Sequence, residues 1–353
     1  MAQEAAPPAS SALTIHDIAR AAGVSTATVS RALRALPGVS DATRARVMAT
    51  AAALDYVVSP AASRLSSGRT GSVAVVTPYL ARWYFATVLA AIDEELSTDD
   101  LDLLLVTVDE PSPATRPTPA HRLRRRVDGV IVVSVSPQAV ALAEITRLAV
   151  PTVVIGLTSR GATSVRSDDV NGAAMAAQHL LNLGHRRIGL IHGRTTSPVF
   201  VAERDRLVGF RRALDDAGLE PDPTIWAPGS FTAAGGEEAM SQLLARPDPP
   251  TAVFAMSDEM AFGALAALRR HGLRPGTDLS VIGYDDHDLA ATYDLTTIHQ
   301  PVVELGRIAA SVLRRQVVGA ADGGDGAGPA RPGEDVVLPV RLVARGSTGP
   351  ARG

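Results

Sequence analysis

Hydroxyl-bearing and cationic side chains are concentrated on one face of a short helix that the sequence predicts near the N-terminus. The segment LTIHDIARAAGVSTATVSRAL covers residues 13–33, and its apolar residues Val29, Ala32 and Leu33 share a helical face that must be buried. The residues that then point outward are Thr26, Ala27, Ser30, Arg31 and Arg34. Hydroxyl and guanidinium groups at this spacing can bond to phosphates and base edges, so this face predicts contact with a DNA major groove.

Two helices and a glycine turn are predicted to position that face. Thr14 and Asp17 have the spacing of a capping box for the first helix, and Ser25 is suited to cap the second. Gly23 can take the positive φ that a sharp turn between them needs. The apolar side of the first helix is Ile15, Ile18, Ala19 and Ala22. The pattern is typical of a helix-turn-helix.

A third predicted helix and a local excess of positive charge favour a DNA-binding helix-turn-helix over an ordinary helical hairpin. The third helix is capped by Ser40, and it runs through Val47, Met48 and Leu54, which supply a core. Between residues 13 and 69 seven arginines face three acidic residues, a net charge of about +4 in a chain whose formal charge is −3. Such segregation is what contact with phosphates requires.

Composition limits what the rest of the chain can do. Its 353 residues predict two or three domains, and no apolar run approaches the roughly 20 residues of a membrane span. The first twelve residues, MAQEAAPPASSA, are expected to be a disordered lead-in and not a secretory signal. Cysteine and lysine are both absent, which excludes disulfides, thiolate metal sites, a lysine Schiff base and a Walker lysine.

Past residue 70 the pattern changes to alternating strands and helices. Short β-branched runs bounded by turn residues predict buried parallel strands: SVAVVT (72–77), DLLLVTV (102–108), VDGVIVV (127–133), PTVVIG (151–156), RRIGLIHG (186–193), PTAVFAMS (250–257) and LSVIGYDD (279–286). Helices are predicted between them at 85–96, 170–183, 202–217, 235–244 and 260–271. This is a doubly wound α/β pattern with too many units for one sheet, so two lobes around a closable cleft are expected.

Several motifs together resemble the LacI/GalR family of bacterial transcriptional regulators over nearly the whole chain. The DNA-binding signature of that family is similar to TIHDIARAAGVSTATVSRAL (14–33). The hinge and first lobe strand resemble LDYVVSPAASRLSSGRTGSVAVV (54–76), and the second lobe resembles LGHRRIGLI (183–191) and AVFAMSDEMAFGALAALRRHGLRPGTDLSVIGYDD (252–286). The return crossover resembles LTTIHQPVVELG (295–306), and the last strand pair resembles LPVRLVARGST (338–348).

The resemblance implies roles for the predicted DNA-binding residues. Thr26, Ala27 and Arg31 would meet base edges, since arginine can bond bidentately to guanine and a small methyl group suits thymine. Phosphate or positioning contacts are implied for Thr14, Ser25, Thr28, Ser30 and Arg34. The alternative for Thr28 is a helix-surface residue without a partner.

In the hinge, the resemblance implies a short helix that forms only with dimer and DNA present. Leu65 would then wedge into a minor-groove step, although it could instead pack on its own domain. The residues around it depart from the family pattern, which often has Pro-Asn and Ala-Arg where this chain has Val58, Ser59, Ala62 and Ser63.

For the cleft, the resemblance implies a ligand-binding pair of Arg206, in RLVGF, and Asp285, in GYDDHD. Tyr84, Phe85 and Phe231 match positions where aromatic rings stack on a ligand, although core packing is the alternative for the run Trp83 to Phe85. Ser257 stands where the family often has a longer amide. The effector is expected to be a sugar or sugar derivative.

Catalytic, metal and cofactor sites are not expected. Asp285, Asp286, His287 and Asp288 are adjacent in a loop, where side chains point in different directions, so a metal site is disfavoured. His185 and His192 are predicted to be structural, with His185 placed as a cation beyond a helix C-terminus. No nucleophile elbow or glycine-rich nucleotide loop is present.

The sequence therefore predicts an all-α helix-turn-helix headpiece and a periplasmic-binding-protein-like α/β effector domain with two lobes. The expected segments are a lead-in (1–12), headpiece (13–57), hinge (58–70) and effector domain (71–353), with a first lobe at about 71–168 and 299–330 and a second at about 169–298 and 331–353. The expected function is a cytoplasmic repressor, nucleoid-associated when bound, that binds a palindromic double-stranded DNA operator as a homodimer and responds to a small effector.

Two alternatives from other classes remain at this point. A two-lobe solute-binding protein shares the architecture but needs a signal peptide and has no use for the headpiece. An enzyme of similar architecture needs a catalytic acid, base or cofactor site, and none is visible in the sequence. The effector, the direction of its effect, the operator and the choice between dimer and tetramer are not fixed by the sequence.

Overall fold

The computed structural model describes residues 13–33, 36–56, 69–99, 101–108, 119–135, 140–159, 161–193, 200–322 and 333–352. The chain divides into two compact units, residues 1–70 and 71–353. Several predictions concern residues outside the described ranges: the lead-in, most of the hinge with Leu65, and Arg34. Those predictions remain as stated.

The described part of the first unit consists of three helices around one small core. They are α1 (Ile15–Ala22), α2 (Thr26–Leu33) and α3 (Asp41–Ala53). The Asp17 carboxylate accepts from the Thr14 backbone N–H at 3.0 Å and the Thr14 hydroxyl at 2.7 Å, and Gly23 ends α1 at φ +64°. The Ser25 hydroxyl accepts from the Thr28 N–H at 3.1 Å. The local structure is therefore the capped pair with a left-handed turn that the residue types predict.

One core prediction in this unit is wrong. Met48 is 51% exposed, whereas Val47 and Ala51 form the buried side of α3. Residues 47 and 51 lie one helical turn apart on one face, and residue 48 is rotated away from it by about 100°. The shared core of the three helices is Ile18, Ala19, Ala22, Val29, Ala32 and Val47.

The second unit begins with a lobe built on a parallel sheet. Its elements in chain order are β1 (Ser72–Thr77), α4 (Trp83–Leu96), β2 (Asp102–Thr107), α5 (Pro119–Leu123), β3 (Gly129–Val133), α6 (Val140–Thr146), β4 (Thr152–Ile155) and β5 (Thr163–Ser167). The second lobe follows with α7 (Asp169–Asn182), β6 (Ile188–His192), α8 (Val201–Asp216), β7 (Trp226–Pro228), α9 (Ala233–Leu244), β8 (Ala252–Ala255), α10 (Asp258–Arg270), β9 (Ser280–Asp285) and β10 (Thr296–His299). The chain ends with α11 (Val302–Asp322), β11 (Asp335–Leu338) and β12 (Arg341–Val343).

Each lobe has a six-stranded sheet. The first sheet has the order β11-β5-β4-β3-β1-β2 and is parallel throughout. The second has the order β12-β10-β9-β8-β6-β7, in which only the β10–β12 pair is antiparallel. Central strands such as β1 and β9 are buried along their whole length. Edge strand β2 differs from the predicted buried strand, since Leu105 is 43% exposed.

The last two strands correct two expectations. The sequence predicts that residues 331–353 belong to the second lobe and contain a strand pair, but β11 belongs to the first sheet and β12 to the second. Parallel pairing with β5 and the ion pair between Arg166 and Asp335, at 2.8 Å, fix β11 on the first lobe. The chain therefore passes between the lobes at three places, 167–169, 299–302 and 338–341.

Candidate functional site

In the first unit, α2 presents the predicted DNA-contacting face. Ser25, Ala27 and Arg31 are exposed, and Thr26, Thr28 and Ser30 are half-buried. Thr14 is exposed at the start of α1. Ala27 and Arg31 lie one turn apart, opposite the buried Val29 and Ala32. The structure thus places these residues on or beside one accessible helix face.

Not every arginine of the first unit is available to bind DNA phosphates. The Arg44 guanidinium donates to the carbonyl oxygens of Ala32, at 3.1 Å, and Leu36, at 2.9 Å. These carbonyls lie at and just beyond the C-terminal end of α2, so Arg44 fixes the end of that helix. Its role is to hold α2 in place, which the charge count alone did not distinguish.

In the second unit, a cleft between the two lobes brings all six predicted ligand-contacting residues together. Its free volume is about 660 Å³, part of which is open solvent. The lining includes the six predicted residues Tyr84, Phe85, Arg206, Phe231, Ser257 and Asp285. It also includes residues that the sequence reasoning missed: Arg82, Ser134, Gly156, Ser167, Asp169, Phe200, Ala202, Glu259 and Gln300. Most of them follow a strand or begin a helix, where ligands of α/β folds bind.

Arg206 is buried at the base of the cleft. Its Nε donates to Asp169 at 2.8 Å, its Nη1 donates to the Met256 carbonyl and lies 3.8 Å from the Asp285 carboxylate, and its guanidinium covers the Tyr284 ring at 3.7 Å. Burial acts to lower the pKa of Arg206, but the nearby acidic groups outweigh it and raise that pKa. The side chain is therefore a permanent cation held in one orientation.

Asp285 is connected through an amide to the first lobe. Its carboxylate accepts from Gln300 Nε2 at 2.6 Å, and the side-chain amide oxygen of Gln300, Oε1, accepts from the Ser167 hydroxyl at 3.0 Å. Burial raises the pKa of Asp285, and that of Asp169, against the opposing effect of Arg206. These side chains form one polar network that reaches across the cleft from β5 to β9.

Three cleft residues have a backbone conformation that is uncommon outside glycine. Their φ angles are +47° at Ser134, +53° at Phe231 and +129° at Asp285. Positive φ in residues with a Cβ stores strain that surrounding contacts must hold, and such strain tends to occur at binding sites. The described residues include nine non-glycine residues with positive φ, and three of them line this cleft, which agrees with a binding role for it.

Aromatic rings form the apolar wall of the cleft. Phe200 and Phe231 meet edge to face with ring centroids 5.9 Å apart, and Tyr84 and Phe85 do so at 5.1 Å. Burial raises the pKa of Tyr84 to about 12, so its phenol remains a hydrogen-bond donor at neutral pH. The Ser257 hydroxyl accepts from the Met260 N–H at 3.3 Å and caps α10, so it serves the helix as well as the cleft wall.

The other polar groups singled out in the sequence are engaged in structure. Asp286 binds Arg345 at 2.8 Å and His299 at 3.0 Å. His185 lies buried and hydrogen-bonded between Thr251 and Ser280, as its predicted structural role requires, but burial lowers its pKa and so disfavours the cation expected at this helix end. Within the described ranges, no group of three or more His, Cys, Asp or Glu side chains could hold a metal ion. None of the helices described is long and apolar enough to span a lipid bilayer.

Missed residues such as Asp169 and Gln300 carried a weak signal in the sequence. Asp169 is an acidic residue at the start of a helix that directly follows β5, and Gln300 follows β10. Neither strand is among those predicted from the sequence, so the signal was limited to an acidic residue just before the predicted helix at 170–183 and to the place of Gln300 in the crossover motif LTTIHQPVVELG. Their partners, however, are 37 and 15 residues away in the chain, and only the fold brings them together.

Known proteins match both units of the chain. Residues 14–59 match the family of bacterial regulatory proteins called the lacI family, and residues 177–348 match a periplasmic binding protein-like domain. The HTH-type transcriptional regulator DegA of Bacillus subtilis is 32% identical over 345 residues, which cover 96% of this chain and 98% of DegA.

Solved structures match the whole fold. A lac repressor dimer bound to operator and the anti-inducer ONPF aligns with a TM-score of 0.82 and 29% identity, covering 96% of this chain and 100% of that one. A complex of the transcriptional regulator CelR with cellobiose aligns with a TM-score of 0.67 and 31% identity, covering 95% and 99%. The chain described here belongs to the lacI family of bacterial regulatory proteins and is a ligand-responsive, DNA-binding regulator of transcription.

Proposed function

We propose that this regulator is a repressor that binds a palindromic operator as a homodimer and that a small neutral ligand in the interlobe cleft changes its operator affinity. The observation that carries the proposal is the combination of an exposed Arg31 face on a capped α2 with a cleft in the second unit where a buried polar network meets an aromatic wall. The cleft serves binding and not catalysis in this proposal, and the protein acts in the cytoplasm, where the operator is.

The charge of the cleft favours an uncharged effector. Two guanidinium groups, of Arg82 and Arg206, face three carboxylates, of Asp169, Glu259 and Asp285. Both cations already have acidic neighbours, so a phosphate or carboxylate would enter a site with no spare positive charge. Hydroxyl groups of a neutral sugar can bond to the same carboxylates, and an aromatic wall suits the apolar face of a sugar ring. The cellobiose complex of the relative CelR is consistent with this class.

Self-association of this chain is part of the proposal because a two-fold dimer would present two α2 helices to the two half-sites of a palindromic operator. The related lac repressor structure is a dimer on its operator.

Selection from a random DNA duplex library tests the DNA-binding part. We expect the full-length protein to enrich an inverted repeat and Arg31→Ala to lose discrimination at one position of each half-site, by about 1–3 kcal/mol. Arg20→Ala is the matched control, because Arg20 is an exposed arginine on α1. It should alter affinity uniformly without changing the preferred sequence. Enrichment of no sequence by the wild type would contradict the proposal.

A thermal-shift screen tests the cleft. The panel pairs neutral sugars and nucleosides with their phosphates, and a ligand that binds the folded state raises the melting temperature by mass action. We expect the neutral member of a pair to bind more tightly. Repeating operator binding with the hit would show whether the ligand weakens or strengthens DNA binding. Preference for the phosphorylated members would reject the neutral class.

A further inference from the structure

A contact between the lobes lies beside the predicted ligand-binding residues but is not among them. The Trp83 indole, at the start of α4 in the first lobe, stacks on the His287 imidazole with ring centroids 4.7 Å apart and an interplanar angle of 28°. Its Nε1 donates to the Asp288 carboxylate at 3.0 Å. Because His287 and Asp288 lie in the loop that begins at Asp286, after β9, one side chain of the first lobe is held by two neighbouring residues of the second.

The second-lobe half of this contact is itself fixed. The His287 Nδ1 accepts from the Leu289 N–H at 3.0 Å, and the His287 backbone N–H donates to Asp258 at 2.8 Å. The Phe262 ring meets the imidazole edge to face at 5.2 Å. The imidazole plane on which Trp83 rests therefore has a defined orientation, as a specific stacking partner requires.

The same turn of α4 meets the second lobe at another point. The Glu259 carboxylate, at the start of α10, lies near the backbone N–H of Trp83 and the Arg82 guanidinium, and both act to lower its pKa against the larger effect of burial, which raises it. A carboxylate is a favourable partner for the unpaired N–H groups at a helix N-terminus. Both the backbone and the side chain of Trp83 thus contact the second lobe.

We infer that Trp83 is a positioning residue that, through the clasp formed by Trp83, His287 and Asp288, fixes the N-terminus of α4 against the second lobe. Tyr84 and Phe85 follow Trp83 directly and line the cleft opposite Arg206 and Asp285. Release of the clasp would let the lobes move apart and would move these two rings away from the polar network. The clasp therefore favours the closed cleft before any ligand binds, and a ligand needs to supply less of the closing free energy.

Fluorescence of Trp83 tests the clasp directly. The chain has two tryptophans, so Trp226→Phe leaves Trp83 as the single emitter. In that background we expect His287→Ala and Asp288→Ala to shift the emission to longer wavelength and to increase quenching by acrylamide. Asp288→Asn is the matched control, because its amide oxygen still accepts from the indole N–H, and it should leave the emission unchanged.

A distance measurement tests the consequence for the lobes. The chain contains no cysteine, so Ala90→Cys on α4 and Ala234→Cys on α9, both exposed, take spin labels at single defined sites. The labelled protein is mixed with excess unlabelled protein so that distances within one chain are measured. We expect a narrow distribution in the parent and in Asp288→Asn, and a broader one at longer distances in His287→Ala and Asp288→Ala.

An unchanged emission and an unchanged distance distribution in both alanine variants would overturn the inference. Loss of helical signal in circular dichroism identifies a variant that fails to fold. In that case the comparison of the other alanine variant with Asp288→Asn tests the inference. Neither readout uses an effector or an operator. Failure of the clasp and failure of the proposed repressor function are therefore distinguishable.

Discussion

Arg206 combines a structural role with its place in the cleft. Its side chain has two carboxylate neighbours, Asp169 and Asp285, and only 5% of the residue is exposed. A buried cation in such a setting orients the acidic groups around it as much as it binds a ligand. The resemblance to the family implies that Arg206 contacts the ligand. Its burial indicates that Arg206 also contributes to the stability of the fold, which the sequence alone does not indicate.

We expect Arg206→Ala to lower the free energy of unfolding by about 3–5 kcal/mol, because it leaves two buried carboxylates without their cation. Removal of the arginine raises the pKa of Asp169 and Asp285 further, since Arg206 is the group that lowers both. The two carboxyls then take up protons more readily, so the loss should be smaller at pH 5 than at pH 7. Urea denaturation at the two pH values measures it.

Arg204→Ala is the matched control for that substitution. Arg204 lies on the same helix, with its side chain 64% exposed and paired with Asp205. An exposed ion pair contributes about 0–1 kcal/mol, so this variant should unfold like the wild type at both pH values. If Arg204→Ala and Arg206→Ala lowered the free energy of unfolding equally, α8 would tolerate no substitution in this turn. The buried charges would then not be the cause of the destabilisation.

At the scale of elements, the second lobe depends on helices that approach each other very closely. Gly209 lies within α8 where that helix crosses α7, and a methyl group there would overlap the Val170 carbonyl oxygen. Gly263 in α10 meets the Ala233 carbonyl of α9 in the same way. Glycine in a helix costs about 0.5–1 kcal/mol relative to alanine, and it is used here because only a hydrogen atom fits between the two backbones.

We expect Gly209→Ala to destabilise the protein by about 1–3 kcal/mol through overpacking, even though alanine is the better helix former. Arg206 lies one turn before Gly209 on α8, so displacement of α8 would also move Arg206 away from Asp169 on α7 and weaken ligand binding. Asp215→Ala, at an exposed position of α8, supplies the helix-propensity gain without a clash. Its stability should match or exceed that of the wild type. A stabilised Gly209→Ala in chemical denaturation would refute the close-contact argument.

Elements with strong periodic patterns could be predicted from the sequence, and elements defined by their neighbours could not. The predicted helix at 202–217 differs by one residue from α8 (Val201–Asp216), because its apolar face and polar boundaries are local. By contrast, β5 reads TSVRS and β7 reads WAP, which are too short or too polar to stand out. They are strands because an adjacent strand supplies the hydrogen bonds, and β7, with its proline, lies at a sheet edge.

The cleft shows the same limit. The motifs RLVGF and GYDDHD, through their resemblance to the family, predicted Arg206 and Asp285 as a ligand-binding pair. The structure places Nη1 of Arg206 3.8 Å from the Asp285 carboxylate. Gln300 joins them only because β9 and β10 are parallel neighbours, and Trp83 meets Asp288 across 205 residues of sequence. Pairings of this kind follow from topology and not from residue type.

At the scale of the whole molecule, the two units have separate cores of very different size. The described part of the first unit has a core of six small or medium apolar residues contributed by three helices. The second unit buries two sheets between helices. A domain of roughly 60 residues buries a smaller fraction of its surface than a large one, so its stability is expected to be marginal.

We therefore expect differential scanning calorimetry of the full chain to resolve two transitions, with the first unit melting at the lower temperature. An operator duplex at 100 times its Kd should stabilise the first by about 2.7 kcal/mol, and an effector at the same excess should stabilise the second by the same amount. Arg206→Ala should lower the temperature of the second transition only. If an effector also shifts the first transition, the shift measures the free-energy coupling between the sites, and by reciprocity the operator must change effector affinity by the same factor. A single transition that both ligands move equally would show that the two cores unfold as one unit, and the regulator would then have no independently stable headpiece.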